Sequence, residues 1–212
     1  MGSNRKSALN QKKIIGITGN YCAGKNHVAS ILERRFIPVL DVDKLGHKAI
    51  ETEKERLLER FGDDILGQDG FIDRKRLGNK VFGRQKELQA LEEIIHPVVN
   101  RDTLAWINTR PETVCVINAA LLHRSSAFDM LDAVIIVEAP FFVRLLRARK
   151  RDRLPWTALL KRFKSQKNFK AQLFKKIADI YKVENSAFFS FNMESAEKKL
   201  NKRINEILSI VK

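Results

Sequence analysis

Lys13-Ile14-Ile15-Gly16-Ile17-Thr18 runs without a break into Gly19-Asn20-Tyr21-Cys22-Ala23-Gly24-Lys25-Asn26. A short apolar run stopped by glycine reads as a buried strand entering a loop. The loop fits G-x-x-x-x-G-K, with Asn26 where the full phosphate-loop pattern has Ser or Thr. Gly19 and Gly24 permit backbone conformations that a Cβ forbids, so successive N–H groups can turn inward on phosphate oxygens. A helix beginning near Lys25 points its positive dipole end at the same anion. Lys25 adds a mobile charge able to follow the β- and γ-phosphates through a transfer. Nucleotide binding is therefore expected over Gly19, Asn20, Tyr21, Cys22, Ala23, Gly24, Lys25, Asn26 and His27.

Working outward, Ala23–Arg35 carries helical spacing in Val28, Ile31 and Leu32, and Phe36–Val42 is again apolar and β-branched. Strand, helix and strand in so short a span mark a parallel sheet. Val114–Asn118 and Ala133–Glu138 are near-continuous apolar runs, as strands covered on both faces should be; Ile180–Glu184 is a weaker candidate. Helices are expected over Lys44–Arg60, Arg84–Ile95, Val98–Asn108, Phe141–Arg151, Trp156–Phe163 and Glu194–Val211, with Pro97 opening the third. The fold class is α/β, one domain over residues 14–212.

The chain has 212 residues and two cysteines, so a disulfide scaffold is excluded. No stretch approaches the roughly 18 apolar residues of a membrane helix, and no signal peptide opens the chain. A soluble, cytoplasmic setting with no membrane partner is the expectation. The formal charge is +15, with 40 Lys and Arg against 25 Asp and Glu. Its distribution is uneven: Arg144–Lys176 holds 13 basic residues and one acid, Asp152. Met1–Lys13, with four basic residues, reads as a disordered tail. A block of this kind attracts phosphate in any form, whether nucleotide, nucleic acid or membrane surface.

Asn26 offers a neutral carbonyl oxygen where a hydroxyl commonly helps hold Mg²⁺, either directly or through water. Asp41-Val42-Asp43 ends the second strand, where alternation sends the two carboxylates to opposite faces. Ligands bind at the carboxyl ends of such strands, so at least one of the two should face phosphate. A carboxylate there can take a proton from a substrate hydroxyl or hold metal-bound water, or it can cap the following helix. Cys22, near a helix N-terminus, is in a setting that lowers a thiol pKa.

Taken together these residues resemble the dephospho-CoA kinase family over about Ile14 to Asn185. Asp41-Val42-Asp43 looks like the family's D-A-D stretch, and Leu91-Glu92-Glu93-Ile94-Ile95-His96-Pro97 like its His-Pro stretch. Glu59-Arg60-Phe61-Gly62 and Ile72-Asp73-Arg74 resemble the acceptor side; Val137-Glu138 through Arg147 to Arg151-Asp152, with Gln166, resembles the approach to the lid. The resemblance implies a P-loop NTPase-type three-layer fold around a central parallel sheet. It implies a helical acceptor-binding segment at about 44–110 and a lid at about 147–176. The implied reaction is transfer of the ATP γ-phosphate to the ribose 3′-hydroxyl of dephospho-CoA, with Mg²⁺ bridging β- and γ-oxygens. Lys25 would hold the phosphates, Asp43 would be the base, and Arg147 and Arg151 would close over the developing charge. Asp41, Arg74 and His96 would lie toward the acceptor, with Asn26, and Asp41 or Asp43 through water, toward the metal.

Several positions depart from the family. Asn26-His27 replaces Ser-Thr, Asn118 stands where Asp is usual, Ala120 where Pro is, and Arg124 where Glu is. Asn26 and Asn118 motivate one rival reading, a catalytically degenerate nucleotide-binding protein. A second rival is a basic nucleic-acid-binding protein with Phe163, Phe169 and Phe174 as stacking groups. No nucleic-acid motif accompanies it, and those rings suit a buried helix face equally well.

Overall fold

Five consecutive buried residues, Ile14–Thr18, make β1 (Lys13–Gly19) the centre strand of a five-stranded sheet. The computed structural model describes residues 12–125, 127–165, 177–186 and 193–211. Residues 1–11 of the expected tail, and residues 166–176 of the expected lid with Gln166, Phe169 and Phe174, lie outside them. Lys13, assigned to the tail from sequence, instead opens β1: its N–H donates to the Thr113 carbonyl at 2.7 Å and its ammonium meets Asp132 at 3.2 Å.

Sheet order is β2 (Val39–Asp41), β3 (Val114–Asn118), β1, β4 (Ala133–Glu138), β5 (Asp179–Glu184). The β1–β3, β1–β4 and β4–β5 ladders are parallel, with Ile15 opposite both Val116 and Ala133. Every residue of β3 is buried, which is why its sequence reads as an unbroken apolar run. From β1 the chain passes to β2 and β3 on one side and later to β4 and β5 on the other. The loop after β1 therefore lies at the point where strand order reverses, the usual crevice of an open α/β sheet.

The described residues divide into two compact units: those up to Leu40 with those from Asn108 onward, and Asp41–Ile107. In the first, α1 (Lys25–Glu33) buries Val28, Ala29, Ile31 and Leu32 against the sheet's apolar residues. The last helix, α8 (Met193–Val211), adds Leu200, Ile204, Ile207, Leu208 and Val211 to the same core. Between them run α6 (Phe141–Asp152) and α7 (Trp156–Ser165).

The second unit comprises α2 (Val42–Thr52), α3 (Lys54–Phe61), α4 (Arg74–Val81) and most of α5 (Gln85–Thr109). Its core joins Ala49, Leu57, Phe61, Ile65, Ile72, Leu77 and Val81 to Ile94, Ile95, Val98 and Val99. The single helix expected over Lys44–Arg60 is two helices that meet at Glu53, whose backbone leaves the helical region. Pro97 does not open a new helix. It lies exposed inside α5, and the buried pairs on either side of it keep the helix running despite the missing N–H. Helix α4 is short and basic, and it escapes periodicity analysis. Asp73 caps it, accepting from Lys75 N–H at 2.9 Å and Arg76 N–H at 3.1 Å.

The second strand is shorter than Phe36–Val42. Phe36 has φ of 59° in the turn that ends α1, and Val42 already belongs to α2. Strand alternation therefore does not govern Asp41 and Asp43. Ile135, fully buried in β4 between β1 and β5, reports on the sheet core. Ile135→Ala is expected to lower stability by about 2–5 kcal/mol, read from urea unfolding.

Candidate active site

Two glycines of the phosphate loop are fixed by what surrounds them. A Cβ on Gly19 would strike the Val137 carbonyl oxygen of β4. Gly24 takes φ of +94°, and a Cβ there would strike the Asn185 amide nitrogen. Between them Cys22 also adopts a left-handed conformation, φ 58°, and the Ala23 N–H donates to the Asn20 carbonyl at 2.9 Å. Helix α1 then starts at Lys25 with no side-chain cap and no acid in its first turn. Its positive dipole end is thus left for an external anion.

Lys25 joins the end of β1 to the end of β3. Its ammonium donates to Asn26 Oδ1 at 3.2 Å and to Asn118 Oδ1 at 3.3 Å, and Asn118 Nδ2 donates to Asn26 Oδ1 at 3.0 Å. Asn118 is the last residue of β3 and is 1% exposed. The two departures from the phosphate-loop pattern are bonded to each other and to the loop lysine.

Arg147 of α6 lies beneath the loop. Its guanidinium donates to the Ala23 carbonyl at 3.0 Å and, more weakly, to that of Cys22 at 3.5 Å. The other arm donates to the Asn185 backbone and side-chain oxygens at 3.0 and 3.1 Å, and Asn185 returns its amide to the Ala23 carbonyl at 3.1 Å. Burial pulls the Arg147 pKa below the ordinary arginine value, yet a guanidinium remains a cation at neutral pH. Arg147, expected from the resemblance to close over the developing charge, holds the loop by these bonds.

Arg151 stands one helical turn further on and is exposed; its guanidinium lies 5.0 Å over the Tyr21 ring and meets Asp152 at 2.7 Å. Asp152 also accepts from the Tyr21 hydroxyl and from Arg162 of α7 at 3.2 Å. Tyr21 and Cys22 pack on Ala148, Leu159 and Phe163, so the loop's middle rests on α6 and α7. Burial pushes the Cys22 thiol above its ordinary value, against the opposing pull of Arg151, Arg147, Arg144 and Arg162. The lowered thiol expected from sequence is therefore corrected: desolvation outweighs the nearby cations.

The remaining expected residues are placed as follows. The His27 ring meets Glu197 of α8 at 2.9 Å, so its side chain is committed to helix packing. Asp41 caps α2, accepting from the Lys44 N–H at 3.3 Å, and Asp43 lies exposed in that helix's first turn. Arg74 is exposed at the start of α4, and His96 is half-buried in α5 beside Pro97. Asp41, Asp43, Arg74 and His96 belong to the second unit; the loop, Lys25 and the arginines Arg147 and Arg151 belong to the first. Asn185 and Arg162 were not among the expected site residues. Asn185 follows the weakest strand candidate and carries no motif of its own, whereas Asp152 is conspicuous as the lone acid of a basic block.

A family model described as dephospho-CoA kinase matches residues 13–188. The chain belongs to the dephospho-CoA kinase family. Among its relatives, the dephospho-CoA kinase of Shouchella clausii is 35% identical over 158 residues, 72% of this chain and 80% of that one. The Treponema pallidum dephospho-CoA kinase is 33% identical over 183 residues, 81% of this chain and 86% of that one. A Thermus thermophilus structure superposes with a TM-score of 0.75 at 29% identity, covering 92% of this chain and 98% of that one. Dephospho-CoA kinase from Campylobacter jejuni gives 0.61 at 24% identity over 93% and 98%, a likeness of fold. The expected α/β P-loop kinase fold stands, and the family makes the chain an ATP-using transferase of coenzyme A biosynthesis. Neither the nucleic-acid reading nor the degenerate one is favoured.

Among the described residues, Asn26 is not a ready Mg²⁺ ligand. Both lone pairs of Asn26 Oδ1 already receive protons, from Lys25 and Asn118. Among the described residues no group of three or more His, Cys, Asp and Glu side chains is arranged to hold a metal.

Two substitutions test the loop's construction. Gly24→Ala combines a forbidden φ with the Asn185 clash, and it is expected to abolish measurable ATP binding in calorimetry. Arg147→Lys keeps the charge but cannot span both the Ala23 carbonyl and Asn185, so stability should fall by about 1.5–3 kcal/mol in urea unfolding.

Proposed function

We propose that this chain transfers the γ-phosphoryl group of ATP to the ribose 3′-hydroxyl of dephospho-CoA, giving CoA and ADP. The observation that carries this reading is the phosphate loop itself, at the carboxyl end of the centre strand of a chain of this family. Its glycines are locked by Val137 and Asn185, and Lys25 sits at the head of an uncapped helix.

Lys25 and the loop amides hold the phosphates and take up the charge that shifts toward the β–γ bridging oxygen as it leaves. Asp43 orients the 3′-hydroxyl and accepts its proton as that oxygen bonds to the γ-phosphorus and the bond to ADP breaks. Support for Asp43 over Asp41 comes from the division of labour at α2, where Asp41 serves as the cap and Asp43 stands exposed one residue into the helix. Arg151 is the arginine assigned to the developing charge, and Arg147 is a positioning residue for the loop. Asp152 and Tyr21 set the direction of Arg151, and Arg162 shares the same carboxylate.

Arg74 and His96 are assigned to acceptor binding. Support for Arg74 lies in its cost: a cation at a helix N-terminus opposes the dipole, and Arg74 has no ion pair among the described residues. An anionic substrate would relieve both. Mg²⁺ would accompany ATP, held through the nucleotide's own oxygens, and a cytoplasmic location goes with ATP as donor. No helix among the described residues is long and apolar enough to cross a membrane.

The test is CoA formation from ATP and dephospho-CoA, with product identified by mass. Lys25→Ala should lower kcat about 100-fold or more, and Asp43→Asn by about 10²–10⁴-fold with ATP affinity retained. Tyr21→Phe removes a hydrogen bond worth about 1 kcal/mol and should lower kcat about fivefold, leaving the KM for ATP nearly unchanged. No CoA from folded, ATP-binding protein would refute the assignment.

A further inference from the structure

A phosphate loop and the neighbouring strand end ordinarily supply a hydroxyl and a carboxylate for Mg²⁺. Here the loop has Asn26 and the end of β3 has Asn118, two neutral amides 92 residues apart in sequence that share a hydrogen bond. Their orientation is determined by chemistry. An ammonium can only donate, so Lys25 requires Asn118 Oδ1 to face it, and the Asn118 amide must then donate to Asn26 Oδ1. That oxygen also accepts from Lys25, which fills its two lone pairs. The loop oxygen nearest to the role of a metal ligand is therefore spent on holding the lysine.

The pair works only as a pair. A carboxylate at position 118 would turn the Asn26 amide over to donate, taking Asn26 Oδ1 away from Lys25, and would put a full negative charge beside that lysine. A serine at position 26 could donate to such a carboxylate; towards the Asn118 amide its oxygen can also accept, but the side chain is one bond shorter and draws that acceptor back. Amide with amide keeps both side-chain oxygens on Lys25; each single replacement gives up one of those contacts or shortens the bridge.

We propose that Asn26 and Asn118 form a neutral amide bridge that positions Lys25 for nucleotide phosphates, so that ATP binds this loop without needing a divalent ion. The proposal rests on the nucleotide reading of the loop and extends it to the metal requirement of binding. Asn26 and Asn118 are positioning residues, acting through Lys25.

Calorimetric titration of the full chain with the β,γ-imido analogue of ATP, in Mg²⁺ and in EDTA, tests it. The two wild-type affinities should agree within about threefold. Asn118→Asp should lose about tenfold or more in EDTA and recover most of it in Mg²⁺, because the new carboxylate both screens Lys25 and offers a metal ligand. Combining Asn26→Ser with Asn118→Asp should bind in Mg²⁺ at least about threefold better than the two single effects predict, the signature of a coupled pair. Asn26→Ser alone, at an exposed position, keeps the test open if Asn118→Asp does not fold. With its acceptor drawn back, the bridge should loosen and Mg²⁺ dependence should rise by about threefold or more. Wild-type binding that weakens about tenfold or more in EDTA overturns the inference, as does unchanged Mg²⁺ dependence in the variants. Absence of binding in both buffers would instead overturn the nucleotide reading beneath it.

Discussion

There is no room for a Cβ at residue 24. Its place is taken by the Asn185 amide, which donates to the Ala23 carbonyl while Arg147 grips Asn185 and the same carbonyl from the other side. One residue from the loop, one from α6 and one from the end of β5 thus make a single knot. The knot orients the loop before any ligand arrives, which matters because a phosphate cradle works by having its dipoles already aimed. An arginine suits the position better than a lysine. Its planar fork reaches two carbonyl partners and an amide oxygen at once, and its charge persists despite partial burial.

The same logic organises the basic block. Thirteen cations in 33 residues would repel one another if nothing intervened, and Asp152 is the only acid among them. It is placed where it does most: at the end of α6, in reach of Arg151, Arg162 and the Tyr21 hydroxyl. Other cations of the block have local duties. Arg149, Lys150 and Arg151 stand in the last turn of α6, where the dipole favours them, and Arg144 covers the Phe163 ring at 5.2 Å. Part of the charge excess is thus helix-end and ring chemistry.

How much of this could be read in the sequence depends on the distance over which each feature is determined. The phosphate loop, β3 and β4 follow from contiguous residues, and their boundaries are those the apolar runs and glycines suggest. The Pro97 reading failed because a local rule about a missing N–H was outweighed by burial of Ile94, Ile95, Val98 and Val99. Helix α4 went unseen because eight mostly polar residues with two apolar ones give little periodicity. Arg147 is visible in the sequence as a charge, but not through the carbonyls of Ala23 and Asn185 that it meets. Asn185 had no signal at all, being defined by a glycine more than 160 residues away.

Asn26 and Asn118 show the same limit most sharply. Taken one at a time along the chain, each is a loss: a hydroxyl gone from the loop, a carboxylate gone from a strand end. Joined in space they are one arrangement with a consistent set of donors and acceptors. The burial of Asn118, at 1% exposure, explains why neutrality is tolerable there. A buried carboxylate is costly unless strongly paired, and truncating either partner of such a pair leaves a stranded charge. An amide asks far less: it carries no charge, and Lys25 and Asn26 give its oxygen a donor and its nitrogen an acceptor. Lys25 is thus held between a loop and a buried strand end by two neutral groups that also hold each other.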